Sequence, residues 1–189
     1  MENEQETFVN WDFKEADTKQ FTHCIHTYPA MMIPQVTRRL IYLYGKNAKT
    51  LLDPFMGSGT SLVEASLIPH IKKAYGFDLN PLAVLIAKVK ITPINPDVVK
   101  SHLYIIINPQ NPFLVGEPKL PQFKNIDFWF KDKVTERLAI IKSLINQIKN
   151  EDVRNFFLVA FSETIRHVSN TRNGEFKLYR KEKEKLKSH

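Results

Sequence analysis

The chain has 189 residues, of which 43% are hydrophobic and 25% charged, which suits one packed domain with appendages and is too short for two. A formal net charge of +7 permits a polyanionic partner without proving one. No apolar run approaches the roughly 20 residues of a membrane span, and the acidic N-terminus lacks the order of a secretory signal, so we expect a cytoplasmic protein with no membrane partner. Cys24 is the only cysteine, which excludes an intrachain disulfide; we expect it to be at least half-buried, and we predict no metal site.

The first 45 residues predict an extension followed by a helix. Residues 1–20 are polar apart from Phe-Val-Asn-Trp-Asp-Phe at 8–13, whose alternating large apolar residues suggest a short strand or a peg that docks on the core. Residues 34–44 have a helical pattern, with Pro34 in the first turn and Gly45 ending it.

From residue 48 the pattern becomes that of an α/β protein. Residues 48–53 are a short run that closes on an acid, and 57–60 form a tight turn. Residues 61–68 have helical spacing, 73–78 are a second strand candidate, and 81–90 a second helix. Strand, turn, helix, strand and helix begin a doubly wound parallel sheet, whose ligands lie beyond the carboxyl ends of the strands.

The second half of the chain reads mainly as helix. The apolar run 103–107 is a candidate for one more strand, and an α/β domain over 21–125 would include it. Apolar residues on one face after residue 133, repeated over 153–165, predict a packed helical hairpin at 126–166. Residues 167–189 form a basic tail without an apolar face to bury.

The turn at Gly57 and Gly59 lets backbone N–H groups approach a ligand. A phosphate loop would need Gly-Lys-Ser/Thr where the chain has Gly-Thr-Ser at 59–61, and the dinucleotide fingerprint would need a third glycine at Leu62. The turn therefore fits neither a nucleoside triphosphate site nor a dinucleotide site well.

Two acids remain beside this turn. Asp78, at the end of the second strand, could accept hydrogen bonds from the vicinal hydroxyls of a ribose, as in dinucleotide folds. Asp53, immediately before the turn, could meet a cationic group directly or through water. A ligand with a ribose and positive charge but no phosphate fits S-adenosylmethionine.

Three segments carry a resemblance to a known family. Asp-Pro-Phe-Met-Gly-Ser-Gly-Thr at 53–60 resembles the cofactor motif of the DNA N4-cytosine and N6-adenine methyltransferases. Phe-Asp-Leu-Asn-Pro at 77–81 is similar to the family's next motif, whose acid holds the ribose. His-Thr-Tyr-Pro-Ala-Met-Met-Ile-Pro at 26–34 is similar to the segment that covers the methionine end of the cofactor.

The resemblance implies an α/β fold with a Rossmann-like class I methyltransferase sheet and S-adenosylmethionine as cofactor. It assigns cofactor contacts to thirteen residues: Tyr28, Pro29, Ala30, Asp53, Pro54, Phe55, Gly57, Ser58, Gly59, Thr60, Asp78, Leu79 and Asn80. It also implies a [Asp/Asn/Ser]-Pro-Pro-[Tyr/Phe/Trp] loop that holds the flipped target base. No Pro-Pro pair occurs in the chain, and the nearest string, Asn-Pro-Phe at 111–113, lacks the second proline.

We therefore expect a partial sheet, catalytic residues that stay unassigned, and a second methyltransferase half or subunit carrying the missing loop. The predicted function is the cofactor-binding subunit or truncated half of a site-specific DNA methyltransferase of a restriction-modification system, inactive alone. The target, cytosine N4 or adenine N6, stays open. The alternatives are a non-catalytic binding or regulatory protein with a degenerate methyltransferase fold, or an RNA or small-molecule methyltransferase.

The basic tail is also the candidate start of a DNA-recognition region. From residue 166 onward there are eight Lys or Arg against three acids, so most of the charge imbalance is C-terminal. We predict phosphate contacts for four of these residues, with a solvated tail as an equal alternative: Arg166, Arg172, Lys177 and Arg180.

Overall fold

A computed structural model describes residues 11–29, 31–108, 117–172 and 177–182. The chain forms two compact units, Met1–Ile91 and Thr92–His189, and each has its own apolar cluster. The α/β domain predicted over 21–125 runs across this boundary. Over the described ranges the fold is mixed α/β, with seven α-helices and one two-stranded parallel sheet.

The N-terminal unit contains the sheet. Its elements are a 3₁₀ helix (Phe21–Ile25), α1 (Pro34–Tyr44), β1 (Thr50–Asp53), α2 (Thr60–Ser66), β2 (Lys73–Gly76) and α3 (Pro81–Ile91). The two strands pair in parallel, from Thr50 with Lys73 to Asp53 with Gly76. Helix α2 connects them, contacts both strands, and packs against α1 and α3. The predicted α/β class and the predicted order of strands and helices are confirmed.

Turn and capping residues explain the helix ends in this unit. Helix α1 begins at Pro34, whose missing N–H costs nothing in a first turn, and ends where the Gly45 N–H donates to the Ile41 carbonyl. At the start of α3 the Asn80 side-chain oxygen accepts from the Leu82 N–H at 3.0 Å. The helix predicted over 34–44 therefore has the bounds that its sequence signals indicate.

The N-terminal segment docks on α1. The guanidinium of Arg39 lies 5.2 Å from the centre of the Trp11 ring and 4.4 Å from that of Phe13. Residues 11–13 form no strand; Trp11 and Phe13 contact Arg39 of α1, and Trp11 stays 40% exposed. Residues 8–10 lie outside the described part. Cys24, expected to be at least half-buried, is exposed, because the short 3₁₀ helix turns it outward while His23 points inward.

The C-terminal unit is helical over its described residues. Its helices are α4 (Pro96–Ile107), α5 (Ile126–Trp129), α6 (Asp132–Asn146) and α7 (Glu151–Val168). The strand candidate at 103–107 is wrong, because this run is the last part of α4. The helix starts upstream, where Asn95 caps the Asp97 N–H at 2.8 Å and Pro96 fills the first position.

The predicted packing of two helices over 126–166 is confirmed. Helices α6 and α7 contact each other, and four residues at and after the end of α6 and in α7 form the buried cluster of this unit: Ile145, Ile148, Val153 and Phe157. Asn150 starts α7 by accepting a hydrogen bond from the Val153 N–H at 3.1 Å.

The segment after α7 folds back on itself. The Arg172 N–H donates to the Tyr179 carbonyl and the Lys181 N–H to the Asn170 carbonyl, each at 2.7 Å, around an antiparallel bridge between Thr171 and Arg180. Residues 169–172 and 177–182 are therefore not the unpaired basic tail that was predicted. They have no apolar face to bury, and main-chain hydrogen bonds hold them together. Residues 183–189 lie outside the described part.

No helix in the described ranges combines the length and the apolar character that crossing a membrane requires.

Candidate functional site

Asp78 ties the end of β2 to the glycine turn after β1. The carboxyl ends of parallel neighbouring strands meet at one edge of a sheet, which brings Asp53 and Asp78 to the same edge. Asp78 Oδ2 accepts from the Gly57 N–H at 3.0 Å, and Oδ1 accepts from the Asn80 N–H at 2.8 Å. The two sequence motifs predicted to share a ligand are thus joined by a hydrogen bond.

Asp53 organises the turn from the other side. Its Oδ1 accepts from the Phe55 N–H at 3.0 Å, and its Oδ2 accepts from the hydroxyl of Ser61 in the first turn of α2. Each carboxylate oxygen has two lone pairs, so Asp53 and Asp78 keep acceptor capacity for a ligand after these bonds are made.

The two glycines of the turn serve different purposes. Both have left-handed backbone, with φ of +53° at Gly57 and +81° at Gly59. A Cβ on Gly59 would lie 2.6 Å from the Ala87 Cβ, so this glycine allows α2 to pack closely on α3. A Cβ on Gly57 would only touch Tyr28 Cε1 at 3.6 Å, so Gly57 is needed for its backbone conformation.

Tyr28 brings the third motif to the same place. Its ring lies beside Gly57, and its hydroxyl accepts from the Asn80 side-chain amide at 3.3 Å. The structure therefore brings together residues from all three segments that carried the family resemblance.

A cavity of about 730 Å³ opens beside the turn, within the size range of small-molecule sites. Six of the predicted cofactor residues line it: Tyr28, Asp53, Phe55, Gly57, Ser58 and Thr60. Six further lining residues had not been predicted: Met31, Met32, Thr37, Leu40, Met56 and Ser61. The structure does not place six other predicted residues in the cavity lining: Pro29, Pro54, Gly59, Asp78, Leu79 and Asn80. Ala30 lies outside the described residues.

A second cavity, of about 450 Å³, shares Met31, Met32 and Thr60 with the first. His23, Cys24 and His26 line it. Their positions do not form a metal site: among the described residues no three His, Cys, Asp or Glu side chains are arranged so that they could hold a metal ion.

Beneath the site lies a buried ionic network. Glu64 of α2 has no exposed surface; it accepts from His23 Nε2 at 2.8 Å and from Arg38 Nε at 2.6 Å. Burial acts to raise the pKa of Glu64, but the hydrogen bonds from His23 and Arg38 outweigh it and lower this pKa below its ordinary value. The network holds the 3₁₀ helix and α1 on α2, and so positions the segment that carries Tyr28.

Lys90 was missed by the sequence analysis. It is buried on α3, and its ammonium donates to the Ser58 hydroxyl oxygen at 3.2 Å. The signal was its spacing: Lys90 continues the i, i+3, i+4, i+7 stripe of Ala83, Ile86 and Ala87, all buried. A lysine in line with the apolar residues of one helix face could have been predicted to be buried.

The four predicted phosphate contacts lie in different environments. Arg172 forms an ion pair with Glu182 at 3.2 Å, and the Arg180 guanidinium lies 4.3 Å from the centre of the Phe128 ring. Lys177 is exposed, and Arg166 is half-buried in the last turn of α7. Arg172 and Arg180 therefore already have partners within the C-terminal unit.

Comparison with known proteins gives two curated relatives. A type II methyltransferase of Kocuria varians, M.MvaI, is 47% identical over 184 residues, which covers 92% of this chain and 40% of the relative. A type II methyltransferase of Methanocaldococcus jannaschii, M.MjaII, is 29% identical over 110 residues, covering 56% of this chain and 20% of the relative. No family model and no solved structure matches the chain.

Proposed function

Since this chain belongs to the DNA methyltransferase family of these two relatives, we propose that it forms the S-adenosylmethionine-binding part of an enzyme that methylates DNA. The observation that carries the proposal is the Asp78–Gly57 hydrogen bond, which joins the acid after β2 to the glycine turn beside the 730 Å³ cavity. The chain spans 40% of the length of the Kocuria relative. Methylation of DNA, the activity of the whole enzyme, is therefore proposed here together with cofactor binding.

The residues around the cavity fit the chemistry of this cofactor. Free lone pairs on Asp78 suit ribose hydroxyls, and those on Asp53 suit a cationic group. Met31, Met32 and Leu40 supply apolar lining for the uncharged parts of the ligand. When bound, S-adenosylmethionine would supply an activated methyl group; Asp53 and Asp78 would hold and orient it.

The test is calorimetric titration of the full chain with S-adenosylmethionine. Asp78→Ala removes a charged acceptor and should weaken binding about tenfold or more. Glu136→Ala is a matched control, because Glu136 is an exposed acid on α6 in the other unit, and it should bind like the wild type. Absence of wild-type binding, or equal binding by Asp78→Ala, would refute the assignment.

Exposed apolar residues on the sheet favour the proposal that a second part of the enzyme packs on it. Leu52 is 63% exposed, Tyr75 49% and Phe77 61%, although parallel sheets are normally covered on both faces. We propose that a segment equivalent to the part of the Kocuria relative that the chain does not span covers this face. Further strands from that part would pair with the edges of the two-stranded sheet and extend it to a Rossmann-like one. That part would carry the Pro-Pro loop, and methylation of cytosine N4 or adenine N6 in a restriction-modification system would need both parts.

Complementation tests this proposal. The chain is mixed with the remaining part of the Kocuria relative, and transfer of labelled methyl groups to DNA is measured. The mixture should methylate DNA, and the chain alone should not. Leu52→Lys should prevent assembly, whereas Tyr104→Lys, at an exposed position on α4, should not. Robust methylation by the chain alone would overturn the two-part proposal, and methylation of RNA in place of DNA would overturn the substrate class.

A further inference from the structure

Lys90 is a buried charge without a buried counter-charge. Its side chain is on the apolar stripe of α3, and the residue is 3% exposed. Glu64, which is also buried, is paired with His23 and Arg38, whereas Lys90 forms no ion pair with an acid anywhere in residues 11–29, 31–108, 117–172 or 177–182. Burying an uncompensated ammonium is costly, so a lysine at this position calls for a physical reason.

The only hydrogen bond of the Lys90 ammonium within the described chain goes to Ser58, although an ammonium has three donors. Burial lowers the pKa of Lys90 to about 8, while the electrostatic interaction with Cys24 acts in the opposite direction. The group is therefore mainly protonated at neutral pH, and Ser58 receives a hydrogen bond from a cation.

This hydrogen bond constrains the Ser58 hydroxyl. Because Lys90 donates to the Ser58 oxygen, the hydroxyl proton must point away from Lys90, and the described residues offer it no acceptor. Ser58 lines the 730 Å³ cavity, so the proton is available to a ligand there. A hydroxyl polarised by a neighbouring cation is a stronger donor, and it favours an anionic acceptor.

We propose that Lys90 is a positioning residue that directs the Ser58 hydroxyl to a carboxylate of the bound ligand and serves as its buried counter-charge. The inference rests on the proposed function, in which the ligand is S-adenosylmethionine and the carboxylate is that of its amino-acid end. Ser58 makes the contact, and Lys90 acts through it.

The experiment compares two ligands that differ only in the carboxylate. Affinities of the full chain for S-adenosylmethionine and for decarboxylated S-adenosylmethionine are measured by calorimetry. Lys90→Met keeps the apolar stem and removes the charge; it should weaken S-adenosylmethionine about tenfold, the usual scale for a charge-assisted hydrogen bond, and should not weaken the decarboxylated ligand. Ser58→Ala should show the same selectivity, and the double variant should lose no more than either single variant.

A purely structural role of Lys90 predicts a different result. A variant that merely disturbs the turn would weaken both ligands alike, and that outcome overturns the inference while leaving the proposed function intact. Unchanged affinity of Lys90→Met for S-adenosylmethionine also overturns it. If the wild-type chain binds neither ligand, the proposed function fails and the inference falls with it. Ser58→Ala provides an independent test that leaves the buried lysine in place, should Lys90→Met not fold.

Discussion

The two units differ in what they bury. In the described part of the N-terminal unit four residues with ionisable side chains are buried: His23, His26, Glu64 and Lys90. In the described part of the C-terminal unit no Asp, Glu, Lys, Arg or His is buried, and its cluster is built from side chains such as Ile145 and Phe157. Burying charge costs free energy that apolar packing avoids, so the two units differ in the kind of interaction that their interiors require.

The largest expected effect is on the charged network. Glu64→Ala leaves His23 and Arg38 without their acceptor and should lower the free energy of unfolding by about 3 to 5 kcal/mol. Ile145→Val, which deletes one methylene from the apolar cluster of the other unit, should cost about 1 kcal/mol. Urea unfolding measures both. If the two variants lose the same free energy of unfolding, the ionic network contributes no more to stability than one buried methylene, and the contrast between the units is wrong.

The glycine turn gives the next largest effect. Gly59→Ala should cost about 2 to 3 kcal/mol, since it combines a left-handed backbone with overlap between the new Cβ and Ala87. Gly57→Ala has the same backbone problem but only an ordinary contact with Tyr28, so its cost should be nearer 1 kcal/mol. Thermal unfolding ranks the two variants; a larger cost at Gly57 would contradict the packing role of Gly59.

Acid should remove part of the stability of the N-terminal unit. The pKa of Glu64 is lowered in the folded chain, so its contribution is present above the unfolded pKa, near 4.3, and is lost as the pH falls through the folded value. The stability difference between the wild type and Glu64→Gln should therefore shrink below about pH 4. Unfolding measured from pH 3 to 7 tests this, and a pH-independent difference would show that the Glu64 charge contributes nothing.

The smallest effect is expected in the folded-back segment after α7. Arg180→Ala removes the contact with the Phe128 ring and should cost about 0.5 to 1 kcal/mol. Lys177→Ala, at an exposed position, should change stability by less than about 0.5 kcal/mol. If both variants also weaken DNA binding by the assembled enzyme, the predicted phosphate contacts gain support; an effect of Lys177→Ala on stability would contradict its exposed placement.

The features that the sequence predicted well are local. Pro34 and Gly45 mark the ends of α1, and Gly57 and Gly59 mark a turn, because backbone preferences of single residues act over a few positions. The run 103–107 was misread as a strand for a related reason. Its own residues favour strand, but the helix is set by Asn95 and Pro96, several residues upstream of the run.

The sequence by itself determined the order of strands and helices in the N-terminal unit, the glycine turn, and the two acids that flank it. Only the tertiary structure decided which groups meet: Gly57 with Asp78, Ser58 with Lys90, and His23 with Glu64 are 21, 32 and 41 residues apart. Such contacts depend on how α2 packs on α3 and on the 3₁₀ helix, and a pattern of a few residues carries no information on that packing. The counter-charge role proposed for Lys90 therefore became visible only in the folded chain.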